Sequence, residues 1–222
     1  MGGVCACDQR GEILRVAFII RFHYKEDDPR FEWRFRFFKE NVLPRIKSQV
    51  YKDFDICVWC NSWHKGLFEE LGVKTFNATY EKKDTKHFTD FTNWENVHGL
   101  EKYDVQIGLD SDDLVEPTLV ETTVSLLQNK KGNVLISFQP IKIDIKSKKK
   151  YIMRNYKKTK RCSPCFAILQ TDKTDYRFAY YRSHFKMNFD KWDEVLYVDN
   201  QVAMAIHHQN DSTIISKGDE EI

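Results

Sequence analysis

No apolar run in this chain of 222 residues approaches the roughly 20 residues a helix needs to cross a bilayer, so no transmembrane segment is expected. Nor is there an excess of charge of one sign. The 35 Lys and Arg stand against 33 Asp and Glu, a net +2, so no global field gathers nucleic acid. No internal repeat and no domain boundary stand out. One domain is therefore expected over 13–215, with a flexible leader over 1–12 and a tail over 216–222. No signal peptide is recognisable at the start, which predicts a cytoplasmic setting with reduced thiols. Gly2 near Cys5 and Cys7 suggests acylation and a place at the membrane periphery, but Ala6 stands where the myristoylation pattern asks for Ser or Thr.

Six cysteines are present, and four of them form the pairs Cys57/Cys60 and Cys162/Cys165. Such pairs invite a zinc reading. The first lies in Phe54-Asp-Ile-Cys-Val-Trp-Cys60, which reads as a buried strand. Residues three apart on a strand point to opposite faces, so these two sulfurs are poorly placed to share an ion.

The patterning alternates strands with helices. Leu14–Ile20 is a continuous apolar run, as a fully buried strand requires, and a polar loop, Arg21–Arg30, follows it. Phe31, Phe35, Phe38, Val42 and Ile46 recur at helical spacing, with Pro44 set to kink or end that helix. Strands are expected at Phe54–Cys60, Val73–Phe76, Tyr103–Leu109, Val134–Gln139 and Cys165–Leu169. Helices are expected at Leu67–Leu71, from Pro117 to an end at Lys130-Lys131-Gly132, and at Asn200–His207, with a helical piece near Trp94–Leu100. This order predicts an α/β protein with a mostly parallel sheet. From Lys142 to Arg161 ten Lys and Arg face only Asp144, as in a solvated hairpin or a basic rim for phosphates.

The chemistry concentrates at one strand end, Gly108-Leu-Asp-Ser-Asp-Asp113. Asp110, Asp112 and Asp113 crowd three carboxylates into four residues, which is costly unless a cation compensates them. Hard oxygen donors at alternate positions suit Mg²⁺ or Mn²⁺. Such an ion would neutralise a diphosphate leaving group during glycosyl transfer. An acidic turn capping the next helix would give the same pattern.

A distributed series of residues adds to this. Arg21-Phe-His-Tyr24, Phe31-Glu-Trp-Arg-Phe35, Phe37-Phe38, Val42-Leu-Pro-Arg-Ile46, Gln49 and Asp53-Phe54 come first. Leu109–Asp113, Ser163-Pro164-Cys165-Phe166 and Ile206-His207 with Asn210 follow. Together they resemble the rhamnosyltransferase-like group of GT-A glycosyltransferases over residues 14–213. Relatives of this size include glycan-building enzymes of large algal viruses. The resemblance implies a Rossmann-like GT-A fold and transfer from a nucleoside-diphosphate sugar, a UDP-sugar first, to a glycan or glycoprotein hydroxyl. It implies that Asp110 and Asp112 bind metal and diphosphate, with His207 as a late ligand. Ser111, which departs from the family's acidic run, and Asp113 would lie at the donor, and Arg21 and Tyr24 would touch the nucleotide. Relatives carry Arg where this chain has Gly108. An inverting transfer needs a general base. Asp199, at the expected start of the last helix, is the first candidate, with Asp193 and Glu194 as alternatives. His184 also fits a family position. Trp33, Trp59 and Trp63 could stack on sugar or base, or fill the core.

Two other readings compete. A nucleotidyltransferase would show a glycine-rich phosphate loop after the first strand, and Arg21–Arg30 contains no glycine. A non-enzymatic polyanion-binding module would use the basic segment 142–161 and bind in a strongly salt-dependent way.

Overall fold

The computed structural model describes residues 14–22, 24, 26–77, 100, 102–153, 165–169, 192–206 and 219–222. Among these residues ten strands form one sheet. They are β1 (Val16–Phe22), β2 (Phe54–Cys60), β3 (Lys74–Asn77), β4 (Val105–Asp110), β5 (Asp113–Val115), β6 (Val134–Asp144), β7 (Lys150–Met153), β8 (Phe166–Leu169), β9 (Glu194–Ile206) and β10 (Asp219–Glu221). The helices are α1 (Pro29–Phe37), α2 (Leu43–Lys47), α3 (Lys65–Glu69) and α4 (Leu119–Leu127). The order across the sheet is β10-β7-β6-β8-β4-β1-β2-β3, with β9 paired to β6 and β5 paired to β9.

The sheet is mixed. Strands β3, β2, β1 and β4 run parallel, as expected for strands joined by helical crossovers. Beyond β4, β8 is antiparallel to both β4 and β6, and β7 and β10 continue the antiparallel half. The central strands are apolar on both faces because both faces are covered. Val16, Phe18, Ile20 and Phe22 of β1 join the larger core cluster, whereas Ala17 and Ile19 join a smaller one on the opposite face. Cys57 and Cys60 divide in the same way, one in each cluster, so the first cysteine pair is split by the sheet as strand geometry predicts. Burial raises the Cys57 thiol to about 11 and the Cys60 thiol to about 12.

The first helical region answers the problem Pro44 poses. Asp28 caps α1 by accepting from the Arg30 amide at 3.0 Å, with Pro29 at the first turn. A π-helical turn at Phe38–Val42 separates α1 from α2, and Pro44 falls in the first turn of α2, directly after the altered hydrogen-bond register of that turn. Phe38, Val42 and Ile46 are buried. Gln49 is also buried, and its role is structural. Its Nε2 donates to the Glu116 carbonyl at 2.7 Å, and its Oε1 accepts from the Val120 amide at 3.0 Å. Thr118 offers α4 no side-chain cap, so Gln49 satisfies one of that helix's open amides from a distant segment.

Three expectations change. Helix α4 begins at Leu119 rather than Pro117. The acidic turn does not lead straight into it, because Asp113–Val115 forms β5, antiparallel to β9. The helix expected at Asn200–His207 is a strand: β9 spans Glu194–Ile206, with a shift in its register on β6 between Asp199 and Ala203. Its Val-Ala-Met-Ala stretch reads as helical locally, but β9 lies between two partners, parallel to β6 and antiparallel to β5. Paired on both sides, with Val202, Ala203 and Ala205 buried, it follows tertiary context over propensity. The helical piece expected near Trp94–Leu100 lies, but for Leu100, outside the described residues.

Candidate active site at the carboxyl ends of the first and fourth strands

In parallel sheets, ligands bind beyond the carboxyl ends of the strands. Strands β1 and β4 are neighbours there, with Arg21 in register with Asp110. The two side chains form an ion pair, Arg21 Nη2 to Asp110 Oδ1, at 2.5 Å. From the second half of α1, Arg34 Nη1 reaches the Oδ1 of Asp112. Both members of this second pair are largely shielded, their side chains 14% and 9% exposed. Tyr24, just past β1, shares a side-chain hydrogen bond with Ser111. Burial raises the Tyr24 hydroxyl's pKa, while Arg34 and that bond act in the opposite sense. The Tyr24 carbonyl accepts from Asn61 Nδ2 at 2.5 Å, which fastens the segment after β1 to the end of β2.

Asp113 differs from its neighbours. It is buried at the start of β5, and its Oδ2 has no hydrogen-bond partner. Desolvation first, and then the charges of Asp112 and Asp110, push its carboxyl pKa well up; Arg34 opposes them. The acidic strand end therefore holds two carboxylates paired with guanidinium groups and one buried carboxyl that favours its proton.

Six of the residues picked from sequence come together here: Arg21, Tyr24, Asp110, Ser111, Asp112 and Asp113. Arg34 was missed as a functional residue. It stands in the quoted series Phe31-Glu-Trp-Arg-Phe35, one turn after Arg30, and that spacing after β1 was the available signal.

The other candidates are placed differently. Asp199 is exposed, pairs with Gln139 of β6, and belongs to a strand instead of capping a helix. Gln139 is two residues past Ser137, which pairs with Phe166, which in turn pairs with Gly108. Asp199 is thus level with the acidic strand end along the sheet, with β8 and β6 between. Asp193 and Glu194 lie at the opposite end. Glu194 is in register with Val134, and Val134 and Val105 both pair with Leu169. That is a strand's length from Asp110. Asp193 Oδ2 accepts from the Asn133 amide at 2.6 Å, and Glu194 pairs with Lys130 at 2.6 Å. These two carboxylates brace a turn, and the geometry does not bring them to the acidic cluster. His207 and His184 lie outside the described residues. Strand β9, which leads toward His207, passes the cluster with Met204 opposite Asp113.

Gly108 has a packing reason. A Cβ there would lie 2.5 Å from Phe166 Cζ, so the aromatic ring of β8 occupies the space any side chain would need. An arginine at that position would require Phe166 to move. Trp59 is core, Trp33 stacks on Phe37 with centroids 6.3 Å apart, and Trp63 is exposed. In the basic segment, the described part is the β6–β7 hairpin, in which Lys142 is buried and Lys149 pairs with Glu221 at 2.9 Å. The rest, 154–161, lies outside the described residues.

The donor set fits a hard divalent cation in its chemistry. Asp110 and Asp112 offer carboxylate oxygens at alternate positions, and Asp113 adds a buried oxygen without a partner. Among the described residues no three His, Cys, Asp or Glu side chains are grouped ready to enclose an ion. A cation here would have to complete its shell from outside the described protein groups, as a Mg²⁺-type ion does with phosphate and water.

A mixed sheet flanked by helices, with the candidate site beyond β1 and β4, is a fold this chain shares with solved structures. One of them is that of Staphylococcus aureus TarS 1–349 in complex with UDP-GlcNAc. It superposes with a TM-score of 0.58 at 8% identity, covering 91% of this chain and 62% of that one. This chain thus spans less than two thirds of the TarS chain. Two further TarS structures match at TM-scores of 0.47 and 0.48, with 8% and 9% identity; they cover 87% and 86% of this chain and 37% and 60% of theirs. At such identities the likeness establishes the fold. No family model and no curated protein matches the chain, so the rhamnosyltransferase-like and viral resemblance rests on the motifs alone. No helix among the described residues is long and apolar enough to cross a membrane.

Proposed function

We propose that this protein is a metal-dependent glycosyltransferase that moves a hexosyl or rhamnosyl group from a nucleoside-diphosphate sugar, a UDP-sugar first, to a hydroxyl of a glycan or glycoprotein. The observation that carries the reading is the convergence of Arg21, Arg34, Tyr24, Asp110 and Asp112 at the carboxyl end of β1 and β4 in a GT-A fold. The UDP-GlcNAc bound to TarS supports a UDP-sugar as the first donor to try.

In this reading Asp110 and Asp112 hold Mn²⁺ or Mg²⁺, with His207 as a further ligand, and the ion supplies charge neutralisation for the departing diphosphate. Arg21 and Arg34 add guanidinium forks, which suit phosphate oxygens. Tyr24 lines the nucleotide side, with Ser111 holding its hydroxyl. Asp113, buried beside Asp112, lies at the donor. Asp199 is the general base for an inverting transfer: it is exposed, on the same level of the sheet, and not in the acidic cluster. Free, buried Cys57 and Cys60 are in keeping with a cytoplasmic setting.

The test is a panel of nucleotide sugars screened by thermal shift with and without Mn²⁺, followed by turnover assays. A donor of this class should raise Tm only, or chiefly, with Mn²⁺ present. Asp112→Asn should remove that shift and lower turnover by about 10²-fold or more, the size expected when charge stabilisation is lost. Full activity of the variant with every donor would overturn the metal assignment. No shift with any nucleotide sugar would overturn the function.

A further inference from the structure

The turn between β6 and β7 holds its shape through one side chain. Asp144, buried at the end of β6, accepts from the Lys146 and Ser147 amides through Oδ1 at 2.8 and 3.1 Å. Its own amide donates to the Lys149 carbonyl at 2.9 Å, and its carbonyl accepts from the Lys148 amide at 2.8 Å. Closing the turn this way puts Lys148 in the left-handed region, with a φ of 62°. Among the described residues it is the one non-glycine residue with a positive φ. Glycine takes that conformation freely and lysine does not, so lysine at 148 costs stability. A strained residue of this kind points to a role outside folding.

The role is written in charge. Residues 146–150 are all exposed, and four of the five are lysines. Lys149 pairs with Glu221 of β10, so contact with a partner falls chiefly to Lys146, Lys148 and Lys150. The register places this tip. Lys142 and Asp113 both stand opposite Met204, on either side of β9. The turn therefore begins two residues beyond the level of the acidic cluster, at the same end of the sheet. Ten Lys and Arg lie between 142 and 161 against Asp144 alone, in a chain of net +2, so the rest of the chain is net negative. A negative surface would orient such a molecule with the hairpin foremost.

We propose that the β6–β7 hairpin is a docking surface for an anionic lipid bilayer. Five successive exposed residues at a turn form a projection, and its lysines are separate point charges that suit a field of headgroups. A single phosphate is better met by an arginine fork. Each lysine held near such a surface raises partition about fivefold. Because Asp144 already holds the turn, docking orders little backbone. A bilayer seated on the hairpin faces the sheet end that carries the candidate site. The inference is independent of the donor assignment.

Cosedimentation of the full chain with vesicles of phosphatidylcholine containing about one third phosphatidylserine tests this, against phosphatidylcholine alone. The wild type should bind the anionic vesicles about tenfold more tightly or better, and the difference should vanish near about 0.5 M salt. Lys148→Gly should weaken binding about fivefold, and K146Q/K148G about 25-fold. Glycine suits a φ of 62°, so K148G should keep the wild-type Tm or raise it by about 2–4 °C, which separates weaker binding from misfolding. Lys52→Gln with Lys131→Gln removes two exposed charges at the opposite end of the strands and should change binding less than about twofold. If K148G lowers the Tm, K146Q/K150Q leaves the backbone of the turn alone and carries the same prediction of about 25-fold. Equal binding to both kinds of vesicle, or an equal loss in K52Q/K131Q, would overturn the docking surface. Tighter binding to inorganic polyphosphate than to the vesicles at matched phosphate would also overturn it, in favour of a soluble polyanion.

Discussion

Arg34 and Asp112 form a shielded ion pair that ties the helix after the first strand to the acidic turn after the fourth. Removing one member of such a pair leaves an uncompensated buried charge. Arg34→Ala should therefore destabilise the fold by about 3–5 kcal/mol, and the double variant R34A/D112A should lose less than the sum of the two single changes. Urea denaturation at constant m-value reads both quantities. A single-variant loss below about 1 kcal/mol would mean that the pair is solvated in practice.

Gly108 and Phe166 make a second, purely steric prediction. Because the ring of Phe166 fills the space of a Cβ at 108, Gly108→Ala should cost about 1–3 kcal/mol through overpacking. The loss should shrink in a Phe166→Leu background, where the neighbouring side chain is smaller and adaptable. An equal loss in both backgrounds would show that the glycine acts through backbone entropy and not through the ring.

His64 supplies a pH dependence away from the acidic cluster. It stacks on Phe31 with ring centroids 3.5 Å apart, and its Nδ1 is buried without a partner. Burial lowers its pKa, against the pull of Glu26. The folded value is thus below the unfolded value of about 6.5, so the imidazole is held neutral. Its contribution to stability is present above the unfolded value and is lost as pH falls through the folded one. His64→Phe keeps an aromatic ring for the stack and cannot charge. Its stability should fall less than that of the wild type between pH 7 and pH 5. Parallel profiles would remove His64 from the account.

Thiol reactivity checks the burial of the first cysteine pair. With Cys57 raised to about 11 and Cys60 to about 12, neither carries appreciable thiolate at neutral pH. Peptide mapping after iodoacetamide treatment of the native protein at pH 7.5 should find both unmodified, and both should be alkylated in denaturant. Rapid native labelling at either position would contradict the two-faced packing of β2.

Much of this was legible in the chain. The apolar runs of β1, β2, β4 and β6 and the aromatic face of the first helical region are local periodicities, and the acidic cluster was correctly placed at a strand end. The opposite facing of Cys57 and Cys60 followed from strand geometry alone. What failed depended on partners. The Ala-containing stretch before His207 has ordinary helix propensity, and only the two strands flanking it make it a strand. Asp193 and Glu194 were attractive because acidic residues near the end of the chain were expected, yet they pair with Asn133 and Lys130 at the opposite end of the strands. Asp199 lost its helix cap for the same reason. Gln49, visible only as a member of a motif, proves to bind the backbone at Glu116 and Val120.

The sequence by itself determined where carboxylates would gather and which segments would be buried, because strand alternation and helical spacing are properties of neighbouring residues. Tertiary structure alone decided what those carboxylates face. Whether Asp112 meets a guanidinium, whether Asp113 is cut off from solvent, and whether Gly108 has room for a side chain all depend on elements distant in the chain. Their energies come from desolvation and contact, which exist only once the sheet has closed.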